Sequence, residues 1–189
     1  MRKFSFIATL IVFLAFSSGA KAAVITFDDV DTASLGYKIL NDYAGATWIN
    51  FGVVNSSTYN THYDDATISG TQVAYNVNAL GSAEILFNNP VNIDKAYFAS
   101  AYFEPNNIDI SWVYSNGTTG STAIALDKDF GQWANLGLKE VTSLKFEADN
   151  YYFGMDNFTY SPVPEPTSIA LGLMSLAGLL GARRRKQTV

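Results

Sequence analysis

The sequence of 189 residues has no cysteine, which removes disulfides, thiolate nucleophiles and thiolate metal ligands at once. It has one histidine, His62. Zinc sites draw on several His or Cys ligands, so a zinc centre is excluded, and any Ser-His-Asp chemistry would have to pass through that one imidazole. Between residues 23 and 163 there is no arginine, and only five lysines stand against 16 carboxylates, a formal charge of about −11. Phosphate backbones need clustered positive charge, so nucleic acid is excluded as a partner. That region also lacks any stretch of ten or more residues with a clean helical stripe.

What is present divides the chain into three. Residues 1–22 run from Met1-Arg2-Lys3 through an apolar stretch, Phe4 to Phe16, to small residues ending Ala20-Lys21-Ala22. Positive, apolar, small is the order of a secretory signal peptide, with cleavage expected after Ala22 and Ala23 as the first mature residue. A short N-terminal helix is the alternative. At the other end, 161–189 holds Val163-Pro164-Glu165-Pro166, an uncharged segment 167–182, then Arg183-Arg184-Arg185-Lys186 within a basic tail, 183–189. Sixteen residues of helix reach roughly 24 Å against a hydrocarbon core of about 30 Å, so a transmembrane helix over 167–182 needs snorkelling arginines and local thinning. The basic cluster stays cytoplasmic and puts the acidic region across the membrane, in agreement with the signal peptide. Leucines surround this segment and leave it no polar face, unlike an amphipathic core helix.

Pro164-Glu165-Pro166, the Gly/Ala/Leu-rich span and the terminal basic cluster together resemble the PEP-CTERM sorting signal of Gram-negative bacteria, also catalogued as an ice-binding protein C-terminal motif. The resemblance implies that an inner-membrane exosortase recognises Val163 to Pro166. The protein would be anchored in the inner membrane for a time and then delivered to the cell surface or the exopolysaccharide matrix. Two prolines hold that stretch extended, a shape a cleft can bind as a strand.

Between the ends, 23–160 reads as one all-β ectodomain. Apolar and β-branched runs predict strands near 24–28, 46–54, 72–77, 83–88, 91–103, 107–115, 121–127, 130–136, 143–148 and 151–160. Gly81-Ser82, Asn88-Asn89-Pro90, Glu104-Pro105-Asn106-Asn107, Asn116-Gly117 and Asp149-Asn150 predict the turns. Ile108, Ile110, Trp112 and Tyr114 share one face and predict core. The expected architecture is a two-sheet antiparallel β-sandwich, jelly-roll-like, with a single barrel as the alternative. Ile25–Asp29, Tyr43–Phe51, Ser69–Asn76 and Met155–Phe158 resemble ectodomains that accompany the sorting signal, which implies a lectin-like or carbohydrate-binding-module-like sandwich.

Candidate chemistry is sparse. Glycoside hydrolysis needs two carboxylates at a set separation, and Asp28, Asp29, Asp64, Asp65, Asp127, Asp129 and Asp156 supply many without a motif choosing between them. No catalytic residue is assigned, and a calcium-dependent polysaccharide hydrolase or lyase is the second alternative function. Calcium takes hard oxygen ligands, so Asp28 or Asp29 at the start and Asp156 at the end could hold one ion and join the termini, with Asp127 and Asp129 a second possibility. Most Asp residues cap turns instead. Sugars stack on aromatic rings while amides and carboxylates bond their hydroxyls, and Tyr59, Asn60, His62, Tyr63, Asp64 and Asp65 have that mixture in one loop. Trp48 and Trp133 are other possible platforms, although both sit in apolar alternating runs that also suit a core. The expected function is therefore non-catalytic binding of an extracellular polysaccharide, with a structural or adhesive coat protein as the first alternative.

Overall fold

The computed structural model describes residues 21–164 except 33–34, 59–61, 80, 102–105 and 150–151. The expected signal peptide up to Ala20, the loop residues Tyr59 and Asn60, Glu165-Pro166, the segment 167–182 and the basic cluster Arg183–Lys186 lie outside them. In chain order the strands are β1 (Ala23–Ile25), β2 (Tyr37–Ile39), β3 (Asp42–Tyr43), β4 (Ala46–Ile49), β5 (Phe51–Asn55), β6 (Gln72–Asn76), β7 (Ala83–Ser100), β8 (Asn106–Tyr114), β9 (Thr119–Leu126), β10 (Gln132–Ala148) and β11 (Phe153–Pro162), with a 3-10 turn at Tyr63–Ala66. Every pairing is antiparallel. Among the described residues no helix is long and apolar enough to cross a membrane.

The strands form an antiparallel β-sandwich whose two layers share their longest strands. The later half of β7 pairs with β11 and with the early half of β10, extending one layer in the order β2-β5-β6-β11-β7-β10. Its early half, Ala83–Phe87, pairs with β4 and with the later half of β10, which continues to β8 and β9. Two irregularities fold the shared ladder over. On β7, Val91 pairs with Val141 but the next registered pair is Leu86 with Ser143, so β7 carries extra residues against β10 there and Asn88–Pro90 form a bulge, while Phe87 stays buried opposite Ala46. On β10, Gly137 (φ 61) and Glu140 (φ 55) adopt left-handed backbone where β10 gains residues on its partner.

Asn88-Asn89-Pro90 is thus a bulge within one strand, and the expected 83–88 and 91–103 are a single bent β7. The expected 130–136 and 143–148 are likewise halves of β10. Conversely, the expected strand 46–54 is two. Asn50 turns left-handed (φ 57), its side-chain amide donates to the Ser82 carbonyl at 2.9 Å, and the chain passes from one layer to the other. The inward set shifts accordingly, from Ala46 and Trp48 to Phe51 and Val53, all buried. The short β2 and β3 carry no periodic signal of their own, and β11 runs through Pro162, two residues beyond the expected end.

Aromatic rings join the layers. Trp48 meets Phe51 at 5.1 Å, and Phe51 meets Phe146 at 5.6 Å, both edge to face. Phe98 lies 6.1 Å from Phe146 across the same interior. Such pairs add about 0.5–1.5 kcal/mol each beyond the area they bury. Ile108 and Ile110 are fully buried as the alternation predicts, whereas Trp112 and Tyr114 are only partly buried at the core margin. The first and last strands pair, Ala23 with Tyr160 through Ile25 with Phe158. Among the described residues every strand lies between Ala23 and Pro162, and this segment carries the core they enclose.

Candidate functional site

A second, smaller apolar cluster sits on the outer face of the β2-β5-β6-β11-β7-β10 layer. Val54, Val73 and Ala99 project outward there and are covered by Tyr63 and Ala66 of the 3-10 turn. Gly154 of β11 makes this cover possible: a Cβ at that position would lie 2.4 Å from the Ala66 methyl. Tyr63 is 5% exposed and meets Tyr75 edge to face at 5.6 Å. It is an anchor of the loop, not a platform for a ligand.

The covering loop is held by two carboxylates. Asp156, fully buried, accepts from the backbone N–H groups of Ile68 (3.0 Å) and Ser69 (2.9 Å), from the Ser69 hydroxyl (3.0 Å) and from its neighbour Asn157 N–H (2.6 Å). Asn157 is left-handed (φ 49) at a register shift of β11, the bulge that seats this carboxylate. Burial pushes the Asp156 pKa up, and the four donors oppose that shift without cancelling it. Asp28 accepts from Thr71 N–H (3.0 Å) and Gln72 N–H (3.3 Å), and Gly70, itself left-handed, passes directly over it. Asp29 accepts from the Tyr43 hydroxyl at 2.6 Å, and burial followed by this carboxylate pushes the Tyr43 phenol far up.

These contacts decide how the expected calcium ligands fit. Asp28, Asp29 and Asp156 each direct oxygens at protein donors, and among the described residues no three His, Cys, Asp or Glu side chains converge as a metal group. Asp127 and Asp129 are exposed turn residues, Asp127 accepting from the Asp129 N–H at 2.9 Å while Lys128 pairs with Asp129. His62, left-handed at φ 60, bonds Asp65 through Nδ1 at 2.9 Å and fixes the start of the 3-10 turn, with Asp64 exposed beside it. Of the expected binding loop, then, Tyr63 and the His62–Asp65 pair hold the loop in place.

The exposed aromatic surface lies beside this loop. One cross-strand row runs Asp156 (β11), Tyr97 (β7), Trp133 (β10) by register. Trp133 is 41% exposed, with the Tyr97 ring edge-on at 5.5 Å and the Lys95 ammonium over its own ring at 4.3 Å. Phe130, in the preceding turn, is 61% exposed. Gly131 lets the parts meet, because a Cβ there would lie 2.4 Å from the Tyr97 ring and 2.5 Å from the Asp65 carbonyl. Burial, and then the Asp65 charge, push the Tyr97 phenol up, so it stays a neutral hydrogen-bonding group at physiological pH. Trp48, by contrast, is core at 1% exposure. Lys95 and Tyr97 carry no motif in the sequence. The readable signal was the pair Ala134 and Leu136, whose inward parity on β10 sends Trp133 outward.

No curated protein matches this sequence. Among solved structures, the chain is similar to the CBM22-1 xylan-binding domain from Paenibacillus barcinonensis Xyn10C, with 12% identity, a TM-score of 0.44, and coverage of 78% of this chain and 97% of that one. It is also similar to TmCBM61, solved with beta-1,4-galactotriose, at 10% identity and a TM-score of 0.38, over 73% of this chain and 94% of that one. A CBM29-2 mutant complexed with mannohexaose gives 13% identity and a TM-score of 0.37, over 75% and 92%. Identities and scores this low transfer neither a ligand nor a residue. The C-terminal finding is of another kind: residues 162–186 match the PEP-CTERM protein-sorting motif, which marks the chain as a secreted protein with a C-terminal sorting signal of that family.

Proposed function

We propose that the protein is a non-catalytic glycan binder, exported, held for a time in the inner membrane by the segment 167–182, processed by an exosortase and left at the surface or in the extracellular matrix of a Gram-negative cell. The sorting motif supports the route, and the observation that carries the binding is Trp133. A fold that buries Trp48 to 1% leaves this tryptophan 41% exposed, braced by Tyr97 and Lys95 on a rigid pair of strands. Indole faces stack on the C–H faces of pyranose rings, and the Tyr97 hydroxyl and Lys95 ammonium supply hydrogen bonds at the margin. The surrounding charge selects among glycans. With about −11 over residues 23–163, the surface repels polyuronates and sulfated polymers, so a neutral polysaccharide is the favoured ligand.

The test is a panel of neutral and acidic polysaccharides in affinity electrophoresis with residues 23–163. Retardation by a neutral polymer, lost at least about tenfold in Trp133→Ala, is the expected result, a loss worth roughly 1.4 kcal/mol. Melting should be nearly unchanged, since the side chain is exposed. Undiminished binding by Trp133→Ala, or no binding by the wild type to any polymer, rejects this face as a sugar site. A second reading, a structural or adhesive coat protein, is favoured by the open edge of β9.

A further inference from the structure

The sandwich ends on one side in β9, whose strand pairing among the described residues is with β8 alone. The hairpin fixes which of its main-chain groups are free. Tyr114 N–H donates to the Thr118 carbonyl at 2.8 Å, so Tyr114 and Thr118 belong to the hydrogen-bonded set. Antiparallel pairing alternates, and Gly120, Thr122, Ile124 and Leu126 therefore bond β8, while Thr119, Ser121, Ala123 and Ala125 turn their N–H and C=O groups to the open edge. Ala125 already has a partner in the Gln132 side-chain amide, which donates to its carbonyl. Thr119, Ser121 and Ala123 are exposed.

This edge differs from the others in being undefended. β1 is an uncharged strand of only three residues, β2 is three residues long with Lys38 at its centre, β3 is two residues long and contains Asp42, and the outer run of β10 carries Lys139, Glu140 and two left-handed residues. β9 is eight residues, Thr-Gly-Ser-Thr-Ala-Ile-Ala-Leu, without charge, proline or bulge. Short length, charges, prolines and bulges are the devices that keep sheet edges from pairing, and β9 has none of them. Its side chains are also small enough to accept a strand alongside.

We infer that β9 is a self-association edge, its occupant β9 of a second copy of this chain, paired antiparallel about a two-fold axis. Matching the three open residues to themselves places Ser121 opposite Ser121 and Thr119 opposite Ala123, and each of them then makes both of its main-chain bonds. A second copy is favoured over a foreign strand because the edge is self-complementary in hydrogen-bonding register, in side-chain size and in its lack of charge. The two-fold also closes the assembly, since it uses the open edge of each copy and leaves only defended ones. Two bodies of about −11 repel, so association strengthens as salt screens them.

The absence of cysteine supplies the experiment, carried out on residues 23–163. Opposed residues of a hydrogen-bonded antiparallel pair lie about 5.5 Å apart at Cα, within the range a disulfide spans. Ser121→Cys is expected to form a disulfide-linked dimer under mild oxidation, whereas Thr122→Cys, which this register places opposite Gly120, is not. Sedimentation velocity of the wild type should show a monomer–dimer equilibrium that shifts toward dimer with concentration and salt. Ala123→Pro removes only an edge donor and should sediment as monomer with its β circular dichroism intact. If that variant fails to fold, Ser121→Lys sets like charges opposite each other and should likewise be monomeric. A wild type that is monomeric at every concentration, equal cross-linking of the Ser121→Cys and Thr122→Cys variants, or a fully dimeric Ser121→Lys would overturn the inference.

Discussion

At the scale of single residues, Asp156 has the most demanding environment. Its carboxylate is fully buried and serves Ile68 N–H, Ser69 N–H and the Ser69 hydroxyl, so it ties the loop over Tyr63 to the sheet. Replacing it with alanine strands those two N–H groups and should cost roughly 2–4 kcal/mol in urea unfolding. The pH dependence has a definite sign. A carboxyl whose folded pKa is raised binds its proton more tightly in the native state, so its contribution to stability grows as pH falls from neutrality through that raised pKa toward 3.8. Wild type should therefore gain stability on Asp156→Asn over that interval, and a difference between the two that is constant with pH would contradict the raised pKa. The sequence offered Asp156 only as a calcium ligand or a turn cap, and its role in holding the loop was not legible because its donors come from 87 residues away in the chain. Tyr63 makes the same point from the other direction: a tyrosine in a polar loop reads as exposed until an apolar patch on the outside of a sheet covers it.

At the scale of elements, glycines mark where parts touch. Gly154 carries the loop and Gly131 seats Tyr97 beneath the Asp65 carbonyl. Gly154→Ala should force Ala66 away, costing about 1–3 kcal/mol by overpacking and speeding proteolysis within 56–71, with β content retained. Unchanged protease protection would show that the loop adapts without loss. Strand existence was legible from alternation, and the two inward isoleucines of β8 followed from it directly. Continuity was not. Asn88-Asn89-Pro90 has the composition of a turn, yet β7 runs through it as a bulge, because Val91 and Leu86 both keep β10 as partner. Asn50 gives almost no signal inside an apolar run, yet there the backbone goes left-handed and changes layer. Both depend on pairings made elsewhere in the chain, which periodicity along one strand does not contain. The exposed Trp133 falls between these cases, its parity written in Ala134 and Leu136 while its companions Tyr97 and Lys95 arrive only with the β7–β10 register.

At the scale of the whole molecule, the strand order constrains when the fold can exist. β11 is the last strand to be synthesised, yet it lies between β7 on one side and β6 and β1 on the other. A chain made from its N-terminus therefore presents ten strands that still lack the rib on which one layer is assembled. Long-range pairing of this kind makes folding slow. A chain ending at residue 149 should stay unfolded by circular dichroism although it keeps ten of the eleven strands; native-like melting of that fragment would refute the dependence. The sorting motif begins at residue 162, where β11 ends. One short stretch thus closes the fold and opens the sorting signal, so the polypeptide can complete its shape only once it has been made up to the point where that signal begins.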